Sequence, residues 1–163
     1  MTLEGLGYAS AVALGALLVI AAMAKLLSPE ETERSFAALA VPNPASAARL
    51  VPLPEVAAAL LLLVVPAVGG IATLMLLAFF STFVVTRLRA GVVAPCACFG
   101  AASTAPLSWI TLGRNLTMAV LAVAALTTVR PVLPSGADAL VVLVYVVVVT
   151  ALLRLGERVT ADG

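Results

Sequence analysis

Five long apolar runs, parted by polar connections, constrain this chain more than any other feature. They cover residues 6–27, 53–68, 71–89, 108–129 and 137–153. A helix needs about 20 apolar residues to cross the hydrocarbon core of a bilayer. Backbone groups inside lipid must also be satisfied without water, which a helix does within its own segment. The runs therefore predict an all-α, polytopic membrane protein. Composition agrees, because 63% of the 163 residues are hydrophobic and 10% are charged, against about a quarter charged in ordinary soluble domains. A net charge of +1 offers no nucleic-acid footprint, and the chain has no histidine, the commonest metal ligand and general base. One integral membrane domain, 1–163, with lipid as its main solvent, is expected.

The first run is expected to remain as a transmembrane helix. Glu4 precedes it with no Lys or Arg, unlike the basic start of a cleavable signal peptide. Gly5, Gly7 and Gly15 allow close helix approach. Lys25 falls in the last turn, where it either snorkels to the interface or faces a site at the bundle mouth. Residues 28–50 form the longest polar connection, with Ser28-Pro29-Glu30-Glu31 announcing a short interfacial helix over 29–40 and Val41-Pro42-Asn43-Pro44 breaking it. Pro52-Leu53-Pro54-Glu55 opens the second span. There Glu55 either serves the helix dipole or seeks a cation at membrane depth. Gly69-Gly70 reads as the turn into the third span. Hydroxyls such as Ser81, Thr82 and Thr86 are expected to bond their own helix, with a polar seam as the alternative. Ser108 is a candidate N-cap for the fourth span, Trp109 an interfacial anchor, and Arg114-Asn115 lie inside that helix. The fifth span is Val-rich, and the polar tail from residue 154 is expected to fray.

Five spans put the 28–50 connection, the 90–107 connection and the C-terminus on one side of the membrane. All of the 9 Lys and Arg residues except Arg130 lie in or near that side. Since Lys/Arg bias sets orientation, the N-terminus is expected outside and the 90–107 connection on the cytoplasmic face of a bacterial inner membrane.

That connection holds the two cysteines, in Pro95-Cys96-Ala97-Cys98-Phe99-Gly100. Residues i and i+2 of an extended segment project to the same side, so Cys96 and Cys98 can meet. The ring they would close is small and strained, which suits exchange better than permanent stapling. Alternation of the spans gathers Lys25, Glu55, Arg87, Arg89, Arg114 and Asn115 at the same face. Positive surroundings raise the thiolate fraction of a thiol. The leading expectation is thus a redox-active dithiol, with Cys96 and Cys98 reacting, Pro95, Phe99, Gly100 and Trp109 shaping the site, and the cationic cluster supporting it. Two buried apolar cysteines are the bland alternative. Two thiolates also suit Cu(I), helped by Met118 or Met75, whereas a closed zinc site lacks the ligands. A quinone-coupled thiol oxidase, with quinone in the bundle near Phe79, Phe80, Phe83 and Trp109, is another class; otherwise no cofactor is expected.

Cys96-Ala97-Cys98-Phe99-Gly100, then Leu107-Ser108-Trp109 and Arg114-Asn115, resemble the MauE family, which is related to DoxX-like membrane proteins. Upstream, Ala24-Lys25-Leu26, Phe36 with Leu39-Ala40-Val41-Pro42, and Pro54-Glu55 carry the likeness, which spans residues 6–129. The resemblance implies a DoxX-like four-helix transmembrane bundle plus a fifth C-terminal helix. It also implies thiol-disulfide oxidoreductase chemistry alongside a thioredoxin-like partner that this chain lacks. The family is associated with maturation of a disulfide-rich periplasmic enzyme.

Overall fold

The computed structural model describes residues 2–92, 94, 107–133 and 135–161. Over these residues the chain is helical, in the order α1 (Leu3–Leu27), α2 (Pro29–Ala38), α3 (Pro44–Leu50), α4 (Pro52–Val64), α5 (Pro66–Arg89), α6 (Trp109–Ala125) and α7 (Gly136–Ala161). Three stretches are long and apolar enough to cross a membrane: Leu3–Leu27, Pro44–Val64 (α3 running into α4) and Pro66–Arg89. Trp109–Ala125 and Gly136–Leu152 are shorter apolar helices.

Helices α1, α4, α5 and α6 form a ring. α1 packs on α4 and α6, α5 closes the ring between those two, and α7 lies outside it against α1 and α6. Small side chains take a large share of the ring's interior, with Ala11, Ala22, Ala122 and Ala125 fully buried beside Leu14 and Leu62, while Ile20, Leu60, Phe79 and Val120 point outward. Lipid is as apolar as leucine, so burying leucine gains little. Helices associate instead through close backbone approach over small residues.

The turn between the second and third spans differs from the sequence expectation. The break falls at Val65-Pro66, where Val65 is extended (φ −136, ψ 80) and Pro66 takes the first position of α5. Proline is tolerated there because its missing N–H had no helical partner. Gly69-Gly70 lie within α5 and serve packing. A Cβ on Gly69 would collide with the Leu62 backbone of α4, and one on Gly70 would lie 2.8 Å from the Ala122 carbonyl of α6. Two further boundaries move. The 29–40 helix ends at Ala38 and is followed by α3, and the tail expected to fray continues the last helix to Ala161.

The link between α2 and α3 is unusual. At its start the Ala40 N–H donates to Ala37 O and the Val41 N–H to Phe36 O, both at 2.9 Å. This double bond pattern closes a helix when the residue after the cap is left-handed. α5 ends the same way, with Gly91 N–H to Leu88 O and Val92 N–H to Arg87 O. There glycine takes the left-handed position (φ 69), whereas in α2 it falls to Ala40 (φ 54). A left-handed residue with a Cβ costs about 1–2 kcal/mol. Asn43, φ 50, is also left-handed, a conformation that asparagine adopts readily.

Close packing at glycine yields a stability test. Gly70→Val, facing a backbone carbonyl that cannot swing aside, is expected to destabilise the protein by about 1–3 kcal/mol. Ile20→Val on the lipid-facing side is expected to change stability by less than about 0.5 kcal/mol. Thermal midpoints of the two variants in one detergent check the contrast.

Candidate functional site

The end of α1 and the start of α4 meet at one end of the ring. Lys25 in the last turn of α1 and Glu55 in the first turn of α4 stand at opposite dipole poles, each with the sign its helix end favours. They also face each other. Lys25 Nζ donates to both carboxylate oxygens of Glu55, at 2.8 and 3.0 Å, and lies 3.3 Å from the Ala21 carbonyl. Residue exposures are 1% for Lys25 and 2% for Glu55. Lys25 therefore does not snorkel to the interface. The two readings of Glu55 are both realised, since it sits in a first helical turn and holds a cation.

A second, smaller apolar cluster forms at this end. Leu39, Val84, Ala94 and Leu107 are buried together, with Val41, Phe83, Leu88, Val92 and Leu112 packed around them. Within it the Leu107 N–H donates to the Ala94 carbonyl at 2.8 Å. That bond joins the two strands of chain from which residues 95–106 depart, making a closed stem. Pro95, Cys96, Cys98, Phe99 and Gly100 lie outside the described residues.

The cations around the stem differ in surroundings. Arg87 is half-buried. Its Nη2 donates to Ala40 O at 3.0 Å, and its guanidinium carbon lies 5.1 Å from the centre of the Phe83 ring. Arg89 in the same last turn is exposed, and Arg114 in α6 is half-buried. Asn115 is buried, and its amide donates to Ser81 Oγ at 3.1 Å, tying α6 to α5. Thr82 and Thr86 bond the carbonyls of Ala78 and Phe83 within their own helix. Of these hydroxyls, Ser81 is the one that joins a polar seam, through Asn115.

Several sequence candidates fall outside the bundle interior. Trp109 is 63% exposed, as an interfacial anchor should be, instead of walling a pocket. Phe79 is 67% exposed and packs on Phe80 with ring centres 5.9 Å apart. Met75 points outward while Met118 is in the main core. Sequence reasoning missed the carbonyl of Ala40 as a partner for Arg87. Only the left-handed turn turns that oxygen toward α5, and no residue type signals it.

The ion pair can be tested as a unit. Lys25→Met leaves a buried carboxylate without its cation and is expected to cost about 3–5 kcal/mol. The double variant Lys25→Met/Glu55→Leu is expected to recover most of that loss. Unfolding in mixed micelles measures it; equal losses in the single and double variants would show that the two side chains are not coupled.

Comparison with known proteins adds one match. The family model described as Methylamine utilisation protein MauE matches residues 3–128. No curated protein and no solved structure matches the chain. The matched segment runs from the first turn of α1 past the end of α6, and so takes in the ion pair, the stem and both cysteines. This helical membrane protein belongs to the MauE family.

Proposed function

We propose that the protein is a membrane thiol-disulfide oxidoreductase whose Cys96 and Cys98 cycle between dithiol and disulfide. The observation that carries this reading is the Ala94–Leu107 stem. It joins Ala94 to Leu107, which flank the segment holding the two cysteines, within an apolar cluster that includes Phe83 and Leu88 on either side of the helical turn bearing Arg87. Membership of the MauE family supports it. We read the α1–α4–α5–α6 ring as the DoxX-like four-helix bundle that the resemblance implies, with α7 as the added helix.

In the reducing direction one cysteine thiolate attacks a sulfur of a disulfide on a thioredoxin-like partner. A mixed disulfide forms and the partner's other sulfur leaves as thiolate. The second cysteine then attacks the mixed disulfide, closing the Cys96–Cys98 bond and releasing the partner as a dithiol. Two electrons and two protons pass from this chain to the partner, and the reverse sequence runs the other way. The attacking species is the thiolate, so neighbouring positive charge raises its fraction at neutral pH. Cys96, which follows Pro95, is the preferred nucleophile. The Lys/Arg distribution supports a cytoplasmic connection and an outside N-terminus. We assign the exchange to methylamine utilisation, the process that the family's description names.

Cys96→Ser and Cys98→Ser are each expected to abolish turnover with a purified thioredoxin-domain protein while leaving the helical content and thermal midpoint unchanged. The variant that keeps the attacking cysteine should accumulate a mixed disulfide, visible by mass spectrometry under non-reducing conditions. Full exchange by both single variants would overturn the reading.

A further inference from the structure

We propose that the Asp138 carboxylate, at the end of the ring away from the Lys25–Glu55 pair, binds a small monovalent cation. Asp138 lies in the first turn of α7 and is 1% exposed. Its Oδ2 accepts from the Ser135 hydroxyl at 2.6 Å and from the Ser135 N–H at 3.1 Å. The Ser135 hydroxyl in turn accepts from the Asp138 N–H at 3.2 Å. This is a reciprocal helix cap, and it uses one carboxylate oxygen of two. Oδ1 is buried as well, and no donor reaches it among the described residues.

The surroundings offer oxygen and no spare donor. A Cβ built on Gly5 would lie 2.5 Å from Asp138 Oδ2 and 2.9 Å from Thr2 Oγ1, so both oxygens converge beside the bare backbone of α1. The nearby hydroxyls of Thr127 and Thr128 are committed to the carbonyls of Leu3 and Glu4. Arg130, the basic residue of this end, is exposed. The positive pole of α7 favours a negative charge at Asp138 but brings no hydrogen to Oδ1. Buried charges are ordinarily paired or coordinate a metal ion, and an ionisable group at membrane depth marks a site. Oxygen ligands suit hard cations, and one buried negative charge matches one positive charge. A divalent ion is disfavoured, since no group of three acidic, histidine or cysteine side chains forms among the described residues. The cation fastens α7, which lies beyond the family-matched residues 3–128, to the first turn of α1. Neither cysteine takes part, so the site stands whether or not the chain exchanges thiols.

The test uses the full-length protein in detergent with radioactive Na+ as the probe, choline chloride holding the ionic strength constant. Saturable retention of one Na+ per chain is expected. At roughly tenfold the half-saturating concentration, the thermal midpoint should stand about 4 °C above that in choline chloride. Asp138→Asn keeps the size of the side chain and an acceptor for Ser135. It is expected to retain the helical content and to lose both effects. Gly5→Ala sets a methyl group against the carboxylate and is expected to weaken the affinity by about tenfold. Absence of saturable retention in the unmodified protein overturns the proposal, as does an equal thermal midpoint in the two salts. Retention unchanged in Asp138→Asn overturns it too; where that variant fails to fold, affinity unchanged in Gly5→Ala does the same.

Discussion

The Lys25–Glu55 pair is the interaction on which the geometry of the cysteine-bearing end depends. It joins the last turn of α1 to the first turn of α4, across the whole 28–50 connection. Two charges removed from water lose several kcal/mol each in solvation, and their mutual attraction returns this only with good geometry. Here one ammonium meets both carboxylate oxygens. A pair of leucines would fill the same space at no such penalty, so hydrophobic stability alone gives no reason to have ions there. What ions supply is direction. An apolar contact tolerates rotation of one helix against the other, whereas a two-pronged ion pair accepts one rotation and one depth.

From that register the rest of the end follows. With α1 and α4 fixed, α2 and α3 lie within the connection between them, and the end of α2 meets α5. Arg87 then finds a carbonyl within reach, and Leu39 finds the apolar stem. On the other side of the ring Asn115 ties α6 to α5 through Ser81. The Lys25–Glu55, Arg87–Ala40 and Asn115–Ser81 contacts therefore connect different segments, while hydroxyls such as those of Ser10, Thr73 and Thr82 bond carbonyls of their own helix. Polar groups that bridge helices inside a membrane specify one arrangement, since leaving any of them unmatched in lipid is costly.

Much of this architecture was legible in the chain, for reasons that can be named. Span length is set by bilayer thickness, so unbroken apolar runs located α1, α5 and α6 to within a few residues. Alternation of direction put Lys25, Glu55, Arg87 and Asn115 at one face without any structure. Rotation about each helix axis was not legible. Nothing in the pattern tells whether Lys25 turns inward to Glu55 or outward to headgroups, because in lipid the buried face is marked by small residues instead of large apolar ones. Gly69-Gly70 misled for the same reason, reading as a turn by the rules of aqueous loops while serving as a groove for α4 and α6. Pro66 and Pro44 carried the true boundaries, since proline at a first helical position marks where a new helix begins. The Arg87–Ala40 link was illegible because its acceptor is a backbone oxygen.

The far end of the ring is fastened by other means. Thr127 and Thr128, just past α6, donate to the carbonyls of Leu3 and Glu4 in the first turn of α1, 124 residues away in each case. Asp138 in the first turn of α7 accepts from the backbone and hydroxyl of Ser135, and its carboxylate presses on Gly5, where a Cβ would lie 2.5 Å from it. A chain enters the membrane from its N-terminus during synthesis. The first turn of α1 is thus inserted before its partners beyond α6 and in α7. Until the residues after α6 follow, Leu3 and Glu4 lack the hydroxyls that bond to their carbonyls, so this end of the ring closes only after its four helices are in place.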